Sequence, residues 1–438
     1  MREGHSTLNQ AVESVAPRER AVSTGIPSLI KRNTFLIAAA QAGVGATTQL
    51  VPTLSAIMVV RLLGSAGLSG IGVSIMNGSR LLVAYPIGMI TDRYGRKPGL
   101  LLGLLLGLVG ALAAALSMMV ASFPLFLAAM LVLGLGGGAL QQLRVAAADM
   151  YLPARRAEGL GYVLTGSLAG ALGGPALVSV AQALSRSFSL DALALSWALV
   201  PVILAPMIAL VFLIRPDPKA IAAHLELYYP GYEAPTTEST GEAIKGNFWT
   251  FVQHFPNLVA FVCNFAVQGN MSMIMAVTAL TLHYHGYSLP AISLSIAIHV
   301  MGMFGLSLPL GKAADRFGRR PVLLAGVIIA GAGSPLVVAT PLYWVITLGT
   351  FLVGVGWSCV NVAATALLSD TTTSSERGRV IGTSDTFGGA AGVALPFFAG
   401  MVVQALGLPS IGVIGVGLMV LPFVLLLRLK EVYPGRYG

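Results

Sequence analysis

The chain has 438 residues, of which 55% are hydrophobic and only 10% charged, against roughly 25% charged in a soluble domain, so a soluble fold is excluded. The formal net charge of +9 would suggest a nucleic-acid partner in a soluble protein. Here the basic residues sit in short loops between apolar stretches, so they report orientation in a lipid bilayer, and no nucleic-acid partner is expected.

Residues 1–32 are polar and mixed in charge, without the apolar core of a cleavable signal peptide, and read as a disordered cytoplasmic tail. Apolar segments long enough to span then follow at about 33–60, 68–90, 98–121, 124–148, 159–184 and 192–214. Residues 215–247 carry Pro216, Pro218, Pro230 and Pro235 with most of the acidic residues outside the loops, and read as a cytoplasmic linker. Six more spans are expected at about 256–282, 289–310, 321–339, 341–368, 380–405 and 410–427, with Asn247 to Phe255 as an interfacial lead-in. The domain plan is thus a 33–214 bundle, the linker, a 248–428 bundle and a 429–438 tail. Alternating the loops between two sides places all but four of the 26 Lys and Arg with the termini. Arg61 and Arg186 fall opposite, and Arg80 and Arg144 fall within spans. By the positive-inside rule both termini are cytoplasmic.

The two bundles are copies of one unit. Gly88 to Pro98 reads Gly-Met-Ile-Thr-Asp-Arg-Tyr-Gly-Arg-Lys-Pro, and Gly311 to Pro321 reads Gly-Lys-Ala-Ala-Asp-Arg-Phe-Gly-Arg-Arg-Pro. The repeat extends further, since Asp149 precedes Arg156 by seven and Gly161 by twelve, as Asp370 precedes Arg377 and Gly382. Spans five and eleven carry Gly174-Pro175 and Leu395-Pro396 at one offset, where a proline kink is expected. The hairpin pattern resembles the signature loop of the major facilitator superfamily, which recurs between its eighth and ninth helices. That resemblance implies an all-α membrane protein of twelve transmembrane helices in two pseudo-symmetric six-helix bundles, working by alternating access. It carries a gating role to Asp92, Arg93, Arg96 and Lys97, and to Asp315, Arg316, Arg319 and Arg320. Asp149 and Asp370 in the repeated loop, and Asp385, are grouped with them. The physics fits, because an Asp at the membrane edge can accept from a helix N-terminus or from an Arg across the half interface. Part of each cluster also serves simply to hold lipid headgroups.

Polar groups within spans are the substrate clues, because each is costly in hydrocarbon and must face a partner or a cavity. Arg80 and Arg144 lack an acid at similar depth in their own half, so they either hold an anionic solute or pair between helices. Gln41, Gln49, Gln141 and Gln142 lie on spans one and four, which line the cavity in the superfamily. Asp385, the only acid well inside a span, either couples protons or contacts the nearby second-to-third hairpin.

The most distinctive stretch is Asn270-Met-Ser-Met-Ile-Met275 on span seven, followed by His299-Val-Met-Gly-Met303 on span eight. Met271 with Met275, and His299 with Met303, each share a helix face, whereas Met273 and Met301 point elsewhere. Counting from the outer loop puts Met271 and His299 both roughly 15 Å deep, near the midplane. Thioether and imidazole are soft to borderline donors that favour Cu(I) and lack the carboxylates that Mg, Ca or Mn require. Packing is the alternative reading of such methionines. The paired motifs resemble those of the CcoA-like copper importers, a bacterial branch of the superfamily, and the resemblance assigns Met271, Met275, His299 and Met303 as ligands. It also implies copper as the transported ligand, the bacterial inner membrane, and cytoplasmic copper carriers for cytochrome oxidase assembly as partners. Relatives grouped with that branch are associated with riboflavin. Cys263 and Cys359 would relay copper inward or else pack inertly, and they exclude a disulfide framework. His283 and His285 would capture metal at the outer end or sit in the interface.

Three classes remain: a copper importer, a transporter of an organic solute using Arg80 and Arg144, and a membrane sensor or assembly protein without flux. No nucleotide-binding loop, nucleophile with base, or carboxylate pair occurs, so no enzyme and no prosthetic group is expected. A monomer embedded in the bilayer is the simplest assembly.

Overall fold

Within hydrocarbon every backbone N–H and C=O must be satisfied inside its own segment, so apolar runs of this length fold as helices. The computed structural model describes residues 25–152, 155–230, 232, 248–372 and 377–430, and among them the regular structure is entirely helical. Twelve long segments carry the fold. The first six are α1 (Ser28–Leu63), α2 (Ile71–Tyr94), α3 (Arg96–Met119), α4 (Phe123–Asp149), α5 (Arg156–Phe188) and α6 (Ala192–Ala198 continuing as Val200–Leu213). The second six are α7 (Phe255–Tyr284), α8 (Leu289–Gly305 continuing as Ser307–Phe317), α9 (Arg319–Leu336), α10 (Tyr343–Asp370), α11 (Arg377–Leu406) and α12 (Pro409–Arg428). Nine of the segments among the described residues are long and apolar enough to cross a membrane, and α8 makes ten if its bent halves count as one. Of the other two, α2 has a shorter apolar stretch, Ile71–Val83, and α9 opens on Arg319 and Arg320.

The duplication is visible in the packing. α1 lies on α5, α2 on α4 and α3 on α4; in the second half α7 lies on α11, α8 on α10 and α9 on α10. Small residues permit the closest approaches. Gly326 meets Gly356, and Gly333 meets Gly349, where α9 crosses α10. The hairpins repeat down to the backbone, since Gly95 has φ 97° and ψ 170° and Gly318 has φ 99° and ψ 168°. Those values lie in the region that favours glycine, which turns the chain and restarts the helix at once.

Several expectations need correction. Residues 1–24 lie outside the described residues, and α1 already starts at Ser28, so the expected 1–32 tail is too long. In the expected 215–247 linker, short helices occupy Pro218–Ala223 and Leu225–Tyr228, and residues 231 and 233–247 lie outside the description. The lead-in is a short helix, Phe248–Gln253. Of the 429–438 tail, only 429–430 are described. Pro175 and Pro396, where kinks are expected in spans five and eleven, lie inside α5 and α11, which continue through them as helix. The interruptions fall elsewhere. α1 breaks at Gln49, where Pro52 offers no N–H to the carbonyl one turn back. α4 breaks at Gln141, after Gly136-Gly137-Gly138, and α8 bends by 42° near Pro309.

The halves meet at the end away from the hairpins. A Cβ on Gly400 of α11 would lie 2.7 Å from the Gly67 carbonyl and 3.0 Å from that of Ala66, and one on Gly70 would collide with the Pro396 carbonyl. Near mid-depth Asn77 Nδ2 donates to the Gly392 carbonyl at 2.8 Å, and Gly389 abuts Leu81. The two hairpins share no such close packing among the described residues.

Candidate functional site

A cavity of about 250 Å³ lies between the halves at mid-depth. The broken helices supply part of its wall, because Gln49 and Pro52 of α1 and Gln141 of α4 line it at or beside the interruptions. On α7 the lining residues are Gln268, Met271, Ser272 and Met275, the spacing of a single helix face. On α8 they are His299, Val300, Met303 and Phe304, one turn apart in pairs. All four ligand positions named from the paired motifs therefore reach one space. Met273, 2% exposed and packed in the core, and Met301, 41% exposed, both lie off that lining.

His299 is fully buried. Its Nδ1 lies 2.5 Å from the Thr350 carbonyl on α10, and because a carbonyl only accepts, Nδ1 carries the proton. The neutral ring then bears its lone pair on Nε2, which is buried and has no protein partner. Gly354, one turn on from Thr350, makes this seat possible: a Cβ there would lie 2.5 Å from the His299 carbonyl and 3.1 Å from its Nδ1. Asn270, within the methionine motif, faces α9 instead, where it bonds Ser334 Oγ at 2.9 Å.

The first half lines the same cavity with different chemistry. Arg80 and Arg144 both reach it, beside Gln41, Asn77 and Ser167. Neither arginine forms an ion pair among the described residues, and Arg80 Nε is buried without a partner. The pairing between helices that would have neutralised them is not seen among the described residues. Gly137 and Gly138 of α4 leave the room, since a Cβ at Gly137 would lie 2.9 Å from Arg80 Nε and one at Gly138 would lie 3.1 Å from the Arg80 backbone. Gln41 donates to Ser167 Oγ at 2.9 Å, tying α1 to α5, while Gln142 Oε1 is buried and unpartnered. Gln268, Ser272, Asn77 and Ser167 were missed by the sequence reading. The signal for the first two was present, because Gln268 lies one turn before Met271 and Ser272 one turn before Met275, on the same face.

The charged residues of the hairpins pair within their own halves. Arg96 Nε meets Asp149 Oδ2 at 2.8 Å, and Arg319 Nε meets Asp370 Oδ2 at 2.9 Å, with Asp315 Oδ1 on Arg319 Nη1 at 2.6 Å. The expected contact across the half interface is absent among the described residues. Arg93 and Arg316 lie over the rings of Tyr94 and Phe317, their chain neighbours. The side chains of Asp92, Arg156 and Arg377 lie outside the described residues. Lys97 Nζ donates to the Phe212 carbonyl at the end of α6, and Arg320 does the same to Leu426 and Leu427 of α12. One residue unforeseen from sequence joins them: Asp217, from the linker, accepts from the backbone N–H of Arg96 at 3.0 Å and of Lys97 at 2.9 Å. It caps α3, and Gly95 admits it, since a Cβ there would lie 2.7 Å from Asp217 Oδ2. The Asp-Pro pair opening a helix was the available cue.

Other expected participants stand apart. Cys263 and Cys359 are buried among apolar side chains of the second half, and neither lines the cavity. His283 and His285 are exposed at the end of α7. Asp385 makes no ion pair with a hairpin among the described residues and borders a small crevice with Asn264, Asn361 and Thr365.

A duplicated six-helix unit enclosing a polar cavity is the plan of one large transporter family, and its profile, described as Major Facilitator Superfamily, matches residues 33–252 and 258–437. The chain belongs to the major facilitator superfamily. Riboflavin transporter RfnT of Brucella anthropi is 26% identical over 91% of this chain and 96% of that protein. YdeG of Bacillus subtilis, an MFS-type transporter, is 27% identical over 91% and 92% respectively. Among solved structures, the nucleoside transporter NupG superposes with a TM-score of 0.66 at 13% identity, over 92% of this chain and 100% of that one. A bacterial homologue of the iron transporter ferroportin in an inward-facing state superposes with a TM-score of 0.68 at 14% identity, over 92% of this chain and 99% of that one. At these identities the structures establish the fold alone.

Proposed function

We propose that this multi-pass major facilitator transporter imports copper, as Cu(I), through the site formed by Met271, Met275, His299 and Met303. The observation that carries the reading is the His299 ring: its Nδ1 is committed to the Thr350 carbonyl, so an unpartnered Nε2 lone pair stands on a cavity that three thioethers also line. Neutral donors of this kind bind a soft monovalent ion and let it go again. The positive-inside rule supports a bacterial inner-membrane orientation in which the hairpin face and both termini are cytoplasmic. With that orientation the close backbone contacts at Gly67, Gly70 and Gly400 lie at the outer face. Import, rather than export, and delivery to cytoplasmic copper carriers for cytochrome oxidase assembly rest on the resemblance of the paired motifs. The transporter works as a monomer, with Arg96, Asp149, Arg319 and Asp370 stiffening the gate hairpins. Uptake of radioactive copper by cells with and without the protein tests it, and the result expected is uptake that depends on the protein.

A second reading is a small organic solute, anionic or riboflavin-like. Arg80 and Arg144 on the cavity wall and the riboflavin relative favour it. Uptake of labelled riboflavin that excess copper leaves unchanged would move the assignment to this reading.

A further inference from the structure

Copper as cargo leaves one feature of the cavity without a purpose. The second half presents soft, neutral donors, while the first half presents two guanidinium groups, Arg80 and Arg144. Among the described residues the lining contains no carboxylate, and neither arginine has an ion-pair partner. Arg80 Nε is moreover buried with no hydrogen-bond acceptor. A bare monovalent cation brought to His299 would enter a pocket that is already positive, and burial strengthens that repulsion. The volume also exceeds the needs of an ion without its ligands, since about 250 Å³ holds many atoms.

Resting on the copper reading, we infer that the cargo is Cu(I) together with a soft monoanionic ligand, a halide or a thiolate. Copper binds His299 Nε2 and the thioethers, and its anion lies against Arg80 and Arg144. Loading is ligand exchange without redox. A two-coordinate anionic complex, copper with two such ligands, loses one of them as a free anion when Nε2 donates its lone pair to the metal. Copper stays Cu(I), and no proton moves because Nε2 carries none. The retained anion cancels the charge of the ion and accepts hydrogen bonds from the guanidinium groups, which are then no longer unsatisfied. The arrangement selects for a complex over a free cation, because only a complex satisfies both walls.

The test uses the full-length protein in phospholipid vesicles under anaerobic conditions. Radioactive copper is offered as Cu(I) in three forms: the cationic acetonitrile complex, the chloride complex, and the thiolate complex of 2-mercaptoethanol. In parallel runs the anion carries the label. Uptake from chloride or thiolate medium is expected to exceed that from acetonitrile by about tenfold or more, the effect of roughly one like charge sensed through protein. Label is expected to enter with the copper in a fixed ratio, and whichever anion does so identifies the source. Replacing both arginines, Arg80→Gln with Arg144→Gln, is expected to lower anion-borne uptake to the acetonitrile level. Equal uptake from all three media by the unaltered protein, with no anion label inside, would overturn the inference and leave copper transport standing. Absence of copper uptake from every medium would overturn both.

Discussion

Gly354→Ala probes the seat of His299 without replacing any residue that would meet the cargo. The added Cβ would lie 2.5 Å from the His299 carbonyl, 3.1 Å from Nδ1 and 3.3 Å from the Met303 N–H nitrogen. Ordinary carbon–oxygen contact needs roughly 3.3 Å, so α8 and α10 must part by about 0.8 Å, at an overpacking cost of about 1–3 kcal/mol. The same displacement stretches the 2.5 Å link from Nδ1 to the Thr350 carbonyl and removes up to about 1 kcal/mol of what orients the ring. The expected outcome is a rise in KM for copper of about fivefold to tenfold, from a misplaced Nε2, together with a lower melting temperature in detergent. Gly349→Ala is the matched control. Its Cβ would lie 2.8 Å from the Gly333 carbonyl, so it also overpacks α10, but against α9 and away from His299. It should lower the melting temperature comparably and leave KM unchanged. Equal KM values for the two variants would refute the reasoning, because the effect would then be general loosening of α10.

Met271→Leu keeps volume and apolarity, so it should cost less than about 1.5 kcal/mol in stability while abolishing copper uptake per unit of membrane protein, whereas Met273→Leu and Met301→Leu should transport normally. Asp217→Ala removes the cap on α3 and should destabilise the first half by about 1 kcal/mol, seen as a lower melting temperature; Asp217→Asn, which keeps an acceptor, should lose less. Tyr229 lies in the linker with its hydroxyl donating to the Met150 carbonyl at 3.1 Å, and burial pushes its pKa up to about 12 from 10.0. A raised folded-state value means that this contribution is complete below pH 10 and is lost as pH rises towards 12, so thermal unfolding should ease across that window and Tyr229→Phe should blunt the dependence.

The repeat was readable because it is written in charge and glycine, which membranes restrict to a few places. Arg96 with Asp149 and Arg319 with Asp370 occupy matching positions in the two copies, and matching distances follow from matching sequence. The face shared by Met271 and Met275 was readable for the same reason, helical spacing. Three things were not. The breaks at Gln49 and Gln141 depend on which carbonyls lose partners, and Pro175 and Pro396 show that proline alone does not decide it. The Nδ1 link of His299 depends on where α10 passes, a contact between residues 51 positions apart. Asp217 is the third case, since it lies 121 positions from the Arg96 N–H it binds, and only packing of the linker on α3 brings them together.

The seal between the halves is made largely of main chain. At Gly70 and Gly400 the facing atoms are main chain, the Gln404 side-chain amide packs against Gly67, and, among the described residues, no ion pair fastens the two surfaces. Such a closure behaves as a pair of ground faces rather than a latch: it depends on fit, holds without a charged bolt, and parts along its whole length once the fit is spoiled. Each pair of Arg96 with Asp149 and Arg319 with Asp370 travels with its own half, so neither has to be torn open when the halves tilt. Salt in the surrounding water should therefore have little leverage on this closure, while a single methyl group at Gly70 or Gly400 should hold the door ajar.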